Sequence, residues 1–170
     1  AGHVDAPLSP LGVRQAQRLA PQIRELPISR VLTSDLKRAY RTAELITNGI
    51  NLVPERYTAV RERHLGDWEH LAKGWALHPT RKHHLMSWDV GPPGGGEGRR
   101  DVATRILRWL AEIDAGPNTL MVAHGTLLGA IIGLLDQTPV DRIGWSFMPN
   151  ATLFKRQIAP NQWHTLLASI

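Results

Sequence analysis

The chain reads as an α/β protein, a three-layer α/β/α sandwich with a mostly parallel sheet flanked by helices, and three observations predict it. Helix-period and strand-like segments alternate along the sequence instead of segregating into blocks. Two short apolar runs, ISRVLT (28–33) and NTLMVAHG (118–125), pass almost directly into helical sequence, the junction a parallel sheet requires. Finally, 170 residues of which 42% are hydrophobic and 21% charged suit a single domain, 1–170, with a substantial core.

The elements follow in order. SPLGVRQAQRLAPQIREL (9–26) places Ser9 as N-cap, Pro10 at the first helical position and apolar residues at Val13, Ala16, Leu19, Ala20, Ile23 and Leu26, with Pro21 as a potential bend. ISRVLT is a short β-branched strand. It feeds SDLKRAYRTAELITNG (34–49), a second helix that Ser34 or Asp35 can cap and Gly49 can stop. NLVPERYTAV (51–60) offers one short strand at most, and residues 61–96 read as an inserted irregular lobe ending in the flexible GPPGGGEG.

Helix signals return from Glu97 to Asp114, with Val102, Ile106, Leu110 and Ile113 on one face and Gly116-Pro117 beyond the end. NTLMVAHG is the next strand and TLLGAIIGLLD (126–136) a buried helix. ATLFKRQ (151–157) and WHTLLAS (163–169) are expected as two closing strands around a Pro160-Asn161 turn.

Composition excludes several classes. No stretch approaches the roughly eighteen consecutive apolar residues of a membrane-spanning helix. The net charge of +5 favours acidic partners, but the 20 Lys and Arg form no basic run and only 6% of residues are aromatic, which argues against nucleic acid. With no cysteine, disulfides, thiol nucleophiles and thiolate metal sites are excluded, in keeping with a reducing, cytoplasmic setting. The histidines at 64, 70, 78, 83 and 84 lack metal-ligand spacing, so no metal or other cofactor is expected. GPPGGGEG lacks the Gly-Lys-Ser/Thr ending of a nucleotide cradle. Nothing in the sequence addresses oligomeric state.

Ligands of open parallel sheets sit beyond the carboxyl ends of the strands, and two such ends are chemically loaded. Arg38 falls in the first turn of its helix, where a guanidinium can bind a phosphate or simply form part of a solvated basic face with Lys37 and Arg41. His124, followed by Gly125, is placed either for acid-base work or as a satisfied core histidine. Glu62, between Arg61 and Arg63, is a general-acid candidate or a local ion-pair partner. Spacing alone leaves each choice open.

Taken together, GHVDAPLSPLGVRQA, SDLKRAYRTAE, RERHLGDWE, PGGGEGRRDVATRIL and VAHG, in that order, resemble the histidine phosphatase superfamily, in its phosphoglycerate mutase-like branch. Any one of these motifs is weak; five in order across the chain are specific. The resemblance implies that Arg38 binds the transferring phosphoryl group, that Glu62 protonates the leaving alcohol, and that His124, with the Gly125 backbone beside it, holds the phosphoryl oxygens as charge develops. Gly2 falls where the family often makes a backbone contact to substrate. The implied activity is a phosphomonoesterase working through a phosphohistidine on a small phosphorylated metabolite. The short Glu62–Gly94 segment favours water as acceptor over the mutase reaction.

Two substitutions depart from the pattern: Asp35 stands where proline is common, and Gly129 where an arginine often follows His-Gly. The family's nucleophilic histidine belongs to an Arg-His-Gly triplet on a strand upstream of the Gly2–Leu8 stretch. It is therefore expected ahead of Ala1, and His3, which follows no strand, is not its substitute. A chain naturally without that triplet would instead be a catalytically dead binder of phosphorylated ligands or partners.

Overall fold

Three parallel strands organise the computed structural model, which describes residues 2–71, 79–143 and 148–170. Strand β1 (Arg30–Ser34) lies at the centre, with β2 (Glu55–Tyr57) on one side and β3 (Thr119–Val122) on the other. Val31 and Leu32 point to opposite faces of β1 and both are buried, as a strand covered on two sides requires. The register pairs Ser34 with Tyr57 and Thr33 with Val122. All three strands therefore end at nearly the same level, and the chain leaves each of them on the same side of the molecule.

Helices cover both faces. On one, α1 (Pro10–Arg24) and α2 (Lys37–Ile46) bury Ala16, Ile23, Ala43 and Ile46 against Val31 and Val122. On the other, α4 (Arg99–Glu112) and α5 (Gly125–Leu135) bury Val102, Ile106, Leu110, Leu127 and Ile131 with Val60. Each fully buried Ile or Leu contributes about 1.5–3 kcal/mol relative to exposure, so these two layers are the main stabilising term. The result is the α/β/α layering that the alternating sequence predicts.

Local chemistry explains the helix starts. Ser9 caps α1, its Oγ accepting from the Gly12 N–H at 3.1 Å with Pro10 at the first position, and the helix runs on through Pro21. The cap of α2 differs from the expectation. Leu36 occupies the N-cap without a side-chain bond, Ser34 Oγ accepts from the Leu36 N–H, and the free Lys37 N–H is met at 2.7 Å by Asp5 Oδ1 from the N-terminal loop. A residue 32 positions away thus does the capping.

Between β2 and α4 the chain runs through two 3-10 turns, Thr58–Val60 and Gly66–Trp68, and a short helix, α3 (Pro79–Met86). Part of the expected lobe, including His78, lies outside the described residues. Gly66 is required where it stands: its φ is +54°, and a Cβ there would lie 2.0 Å from the Pro93 carbonyl oxygen of the Gly-rich turn.

The two closing strands are not found. Residues 151–157 form no strand, and Gln162–Ala168 is a helix, α6, packed on α4. The reason lies in the period. Trp163, Leu166, Leu167 and Ile170 recur at helical spacing and cover the cluster of Trp88, Ala103, Leu107 and Leu134, whereas a strand would have turned half of them to water.

Candidate active site

The common level of the strand ends delivers three of the predicted residues to one place. β1 exits through Asp35 into the first turn of α2, which carries Arg38; β2 exits through residues 58–61 to Glu62; β3 exits through Ala123 to His124, the N-cap residue of α5. This is the crevice beyond the carboxyl ends of a parallel sheet, where helix N-termini present free N–H groups.

His124 is 8% exposed, and among the described residues its Nε2 is buried with no hydrogen-bond partner. A buried imidazole nitrogen without a partner costs about 1–3 kcal/mol, so its retention points to a group that joins it from outside. Burial, reinforced by the positive charge of Arg38 and then by His3 and Arg105, pushes its pKa down to about 3. His124 is therefore neutral near pH 7. Arg38 is close enough to act on it electrostatically.

Arg38 is half-buried, and its desolvation lowers its pKa from the usual arginine value. Its guanidinium reaches back to the N-terminal loop, Nη1 donating to the Val4 carbonyl at 2.8 Å and Nη2 to the Gly2 carbonyl at 2.7 Å. The five N–H donors of a guanidinium leave three more for a ligand. Gly2, the predicted substrate contact, thus has its carbonyl engaged by Arg38.

Glu62 turns its carboxylate toward α5. Oε2 accepts from the Thr126 N–H at 3.2 Å and Oε1 from the Arg63 N–H at 2.8 Å, so the acid and the helix start that follows His124-Gly125 are joined directly. The Glu62 backbone is held as firmly, its carbonyl lying 2.7 Å from His3 Nε2 and 3.3 Å from Arg105 Nη2. Arg105 also donates to the Ala59 and Arg61 carbonyls and forms a two-pronged pair with Glu97, at 2.8 and 2.9 Å. Burial raises the Glu97 pKa, but the Arg105 bonds and the His64 N–H outweigh it and hold the carboxylate below its usual range.

Several of these pairings carry no sequence signal. Asp35, the residue in the usual proline position, accepts two bonds from Arg61 at 2.7 and 2.5 Å, tying the Arg38 turn to the Glu62 segment. Glu69 accepts from the N–H groups of His3 and Val4, both at 3.0 Å, and of Leu65 at 2.8 Å. Burial raises the Glu69 pKa, and those three donors more than reverse it. In the sequence Glu69 and Arg61 are only members of RERHLGDWE and Asp35 only a cap candidate and a departure from the family pattern; nothing local pairs Asp35 with Arg61, 26 residues away.

His3, Thr58, Ala59, Arg61, His64 and Arg105 line part of an adjoining cavity of about 450 Å³. Among the described residues no group of three or more His, Asp or Glu is placed to hold a metal ion, and no helix is long and apolar enough to cross a membrane.

The chain is 30% identical over 153 residues to the adenosylcobalamin/alpha-ribazole phosphatase of Salmonella typhimurium, covering 86% of this chain and 75% of that protein. It is 33% identical over 153 residues to the glucosyl-3-phosphoglycerate phosphatase of Mycobacterium tuberculosis, covering 82% and 68%. A solved structure of mycobacterial glucosyl-3-phosphoglycerate phosphatase in complex with VO3 superimposes with a TM-score of 0.78 at 33% identity, over 88% of this chain and 80% of that one. The model of the histidine phosphatase superfamily (branch 1) matches residues 1–170, and with a parallel sheet whose strand ends gather Arg38, Glu62 and His124, this chain belongs to that family.

Proposed function

We propose that the protein is a phosphoric monoester hydrolase acting on a small phosphorylated metabolite through a phosphohistidine. The observation that carries this reading is the unpartnered, buried Nε2 of neutral His124 within the electrostatic reach of Arg38. A phosphoryl oxygen supplies the missing acceptor for an imidazole N–H and the counter-charge for the guanidinium in one step. Two relatives named as phosphatases of small phosphorylated metabolites support the reading.

In this mechanism Arg38 and His124 hold the non-bridging oxygens, with Gly125 at the N-terminus of α5 adding its backbone dipole. The P–O ester bond breaks as a P–N bond forms on an acceptor histidine. Glu62 acts as the general acid, giving a proton to the leaving alkoxide, and its carboxylate then takes a proton from the water that attacks the phosphohistidine, releasing inorganic phosphate. His3 is not taken as that acceptor, since it follows no strand and has its Nε2 against the Glu62 carbonyl. Gly2 contributes through Arg38, whose guanidinium its carbonyl helps to hold.

The scattered cations support a small substrate over nucleic acid, and the absence of cysteine supports the cytoplasm as the setting. In this reading residues 1–170 act as one domain, and the described parts of the 61–96 lobe, 61–71 and 79–96, flank the site. The test uses the full-length protein with para-nitrophenyl phosphate beside its His124→Ala variant. Turnover that falls by two orders of magnitude or more in the variant is expected; no turnover in either would make the protein a phosphate binder. Exchange of phosphate between glycerate positions faster than its release to water would make it a mutase.

A further inference from the structure

We propose that Glu69 is a positioning residue for Arg38, acting through the backbone of residues 2–4. This rests on the assignment of Arg38 as a phosphoryl ligand.

The N-terminal loop is gripped from two sides. Its carbonyls at Gly2 and Val4 receive the Arg38 guanidinium, and its N–H groups at His3 and Val4 are taken by the Glu69 carboxylate. The strap of peptide units between these two side chains is therefore polarised in one direction: an anion on its amides makes its carbonyls better acceptors for a cation. The Glu69 side chain is only 11% exposed; its nearest ionic partner among the described residues is His64, with Nε2 at a distant 3.9 Å, and its charge also acts at longer range on Arg38 and His3. Its oxygens face backbone N–H groups, with the third coming from Leu65 in the lobe.

The chemistry of that pocket selects a carboxylate. Glutamine would offer one acceptor oxygen and set an NH2 group against a backbone N–H, leaving at least one of the three donors unsatisfied. Gly2 gives an independent sign that the strap is shaped around this anion. Its φ is +34°, and a Cβ there would lie 2.4 Å from Glu69 Oε1. The carboxylate thus lies against the bare Cα of Gly2, on the same residue whose carbonyl receives Arg38 Nη2. Glu69 does not touch the phosphoryl site. It fixes the two carbonyls that orient the guanidinium.

The experiment is a double-mutant cycle in the full-length protein, with Glu69→Gln and Arg38→Lys made singly and together. Inorganic phosphate is the probe by isothermal titration, and ¹⁵N relaxation of the Arg38 Nε–H is the second readout. Glu69→Gln is expected to weaken phosphate binding about tenfold when Arg38 is present, to have little further effect on Arg38→Lys, and to loosen the Arg38 Nε–H. An equal loss in both backgrounds, or a lowered melting temperature with unchanged phosphate affinity and an unmoved Arg38 signal, would overturn the proposal. If Arg38→Lys binds phosphate as the parent does, the assignment of Arg38 as ligand fails instead, and the Arg38 Nε–H signal in Glu69→Gln still decides the role of Glu69.

Discussion

Arg38 and Arg63 stand in neighbouring regions of the molecule, and both direct their guanidinium groups at backbone carbonyls. Arg63, at the base of the lobe, is 2% exposed and donates to Glu97, Leu85 and His84 from all three nitrogens. Two of those carbonyls belong to the last turn of α3, so the side chain ties that helix end to the Gly-rich turn. Burial brings its pKa down to about 10, yet it remains charged because each nitrogen has an acceptor. Arg38 gives only two bonds to carbonyls and retains donors beside a histidine whose nitrogen lacks a partner. A buried cation with an acceptor on every nitrogen is a structural clamp; one with a nitrogen to spare beside an orphaned polar atom is a binding group.

That contrast can be broken by experiment, beginning with its largest consequence. Arg38→Ala should lower kcat/KM for a phosphomonoester by about 10²–10³-fold, because a donor to developing charge is lost, while the urea midpoint moves little. Steady-state kinetics and urea unfolding on the same preparation check both halves. Arg63→Met should do the reverse in emphasis, destabilising the fold by about 2–4 kcal/mol as three carbonyls lose their donors. An Arg63→Met chain as stable as the parent would remove the distinction between the two arginines.

The pH dependence sharpens the same comparison. Because the folded pKa of His124 is pushed down from 6.5 to about 3, its neutral form favours folding. That contribution is complete above pH about 6.5 and is lost progressively as the pH falls toward about 3, where the unfolded chain binds a proton that the folded one refuses. Unfolding free energy measured between pH 4 and 8 on the parent and on His124→Asn should therefore diverge only below about pH 6.5. The smallest effect is expected at the bridge between the two strand exits. Asp35→Asn should cost at most about 1 kcal/mol of stability, since the Arg61–Asp35 pair is partly solvated, at 34% and 25% side-chain exposure. Differential scanning calorimetry checks this value.

The α/β layering was legible because buried parallel strands and amphipathic helices leave opposite periodicities in the chain, as in Val31-Leu32 against Ala16, Ala20 and Ile23. The C-terminal helix differs from the expected strand because WHTLLAS, seven residues with Trp, Thr and Leu, suits either period until its neighbours are known. Arg38, Glu62 and His124 could be found because each sits beside a strand exit within a short motif. Their supports could not, because Glu69 meets His3 and Val4 across more than sixty residues.

What the sequence by itself determined is therefore local: where helices and strands begin, and which residues emerge at the strand ends. Tertiary structure decided the rest. Only the pairing of Ser34 with Tyr57 and Thr33 with Val122 brings the three exits level, and only the closure of the N-terminal loop onto α2 lets Asp5 cap it and Arg38 hold the Gly2 and Val4 carbonyls. The physical reason is range. Periodicity and capping act within a few residues, whereas the hydrogen bonds and desolvation that tune His124 come from segments that meet only after the core has formed.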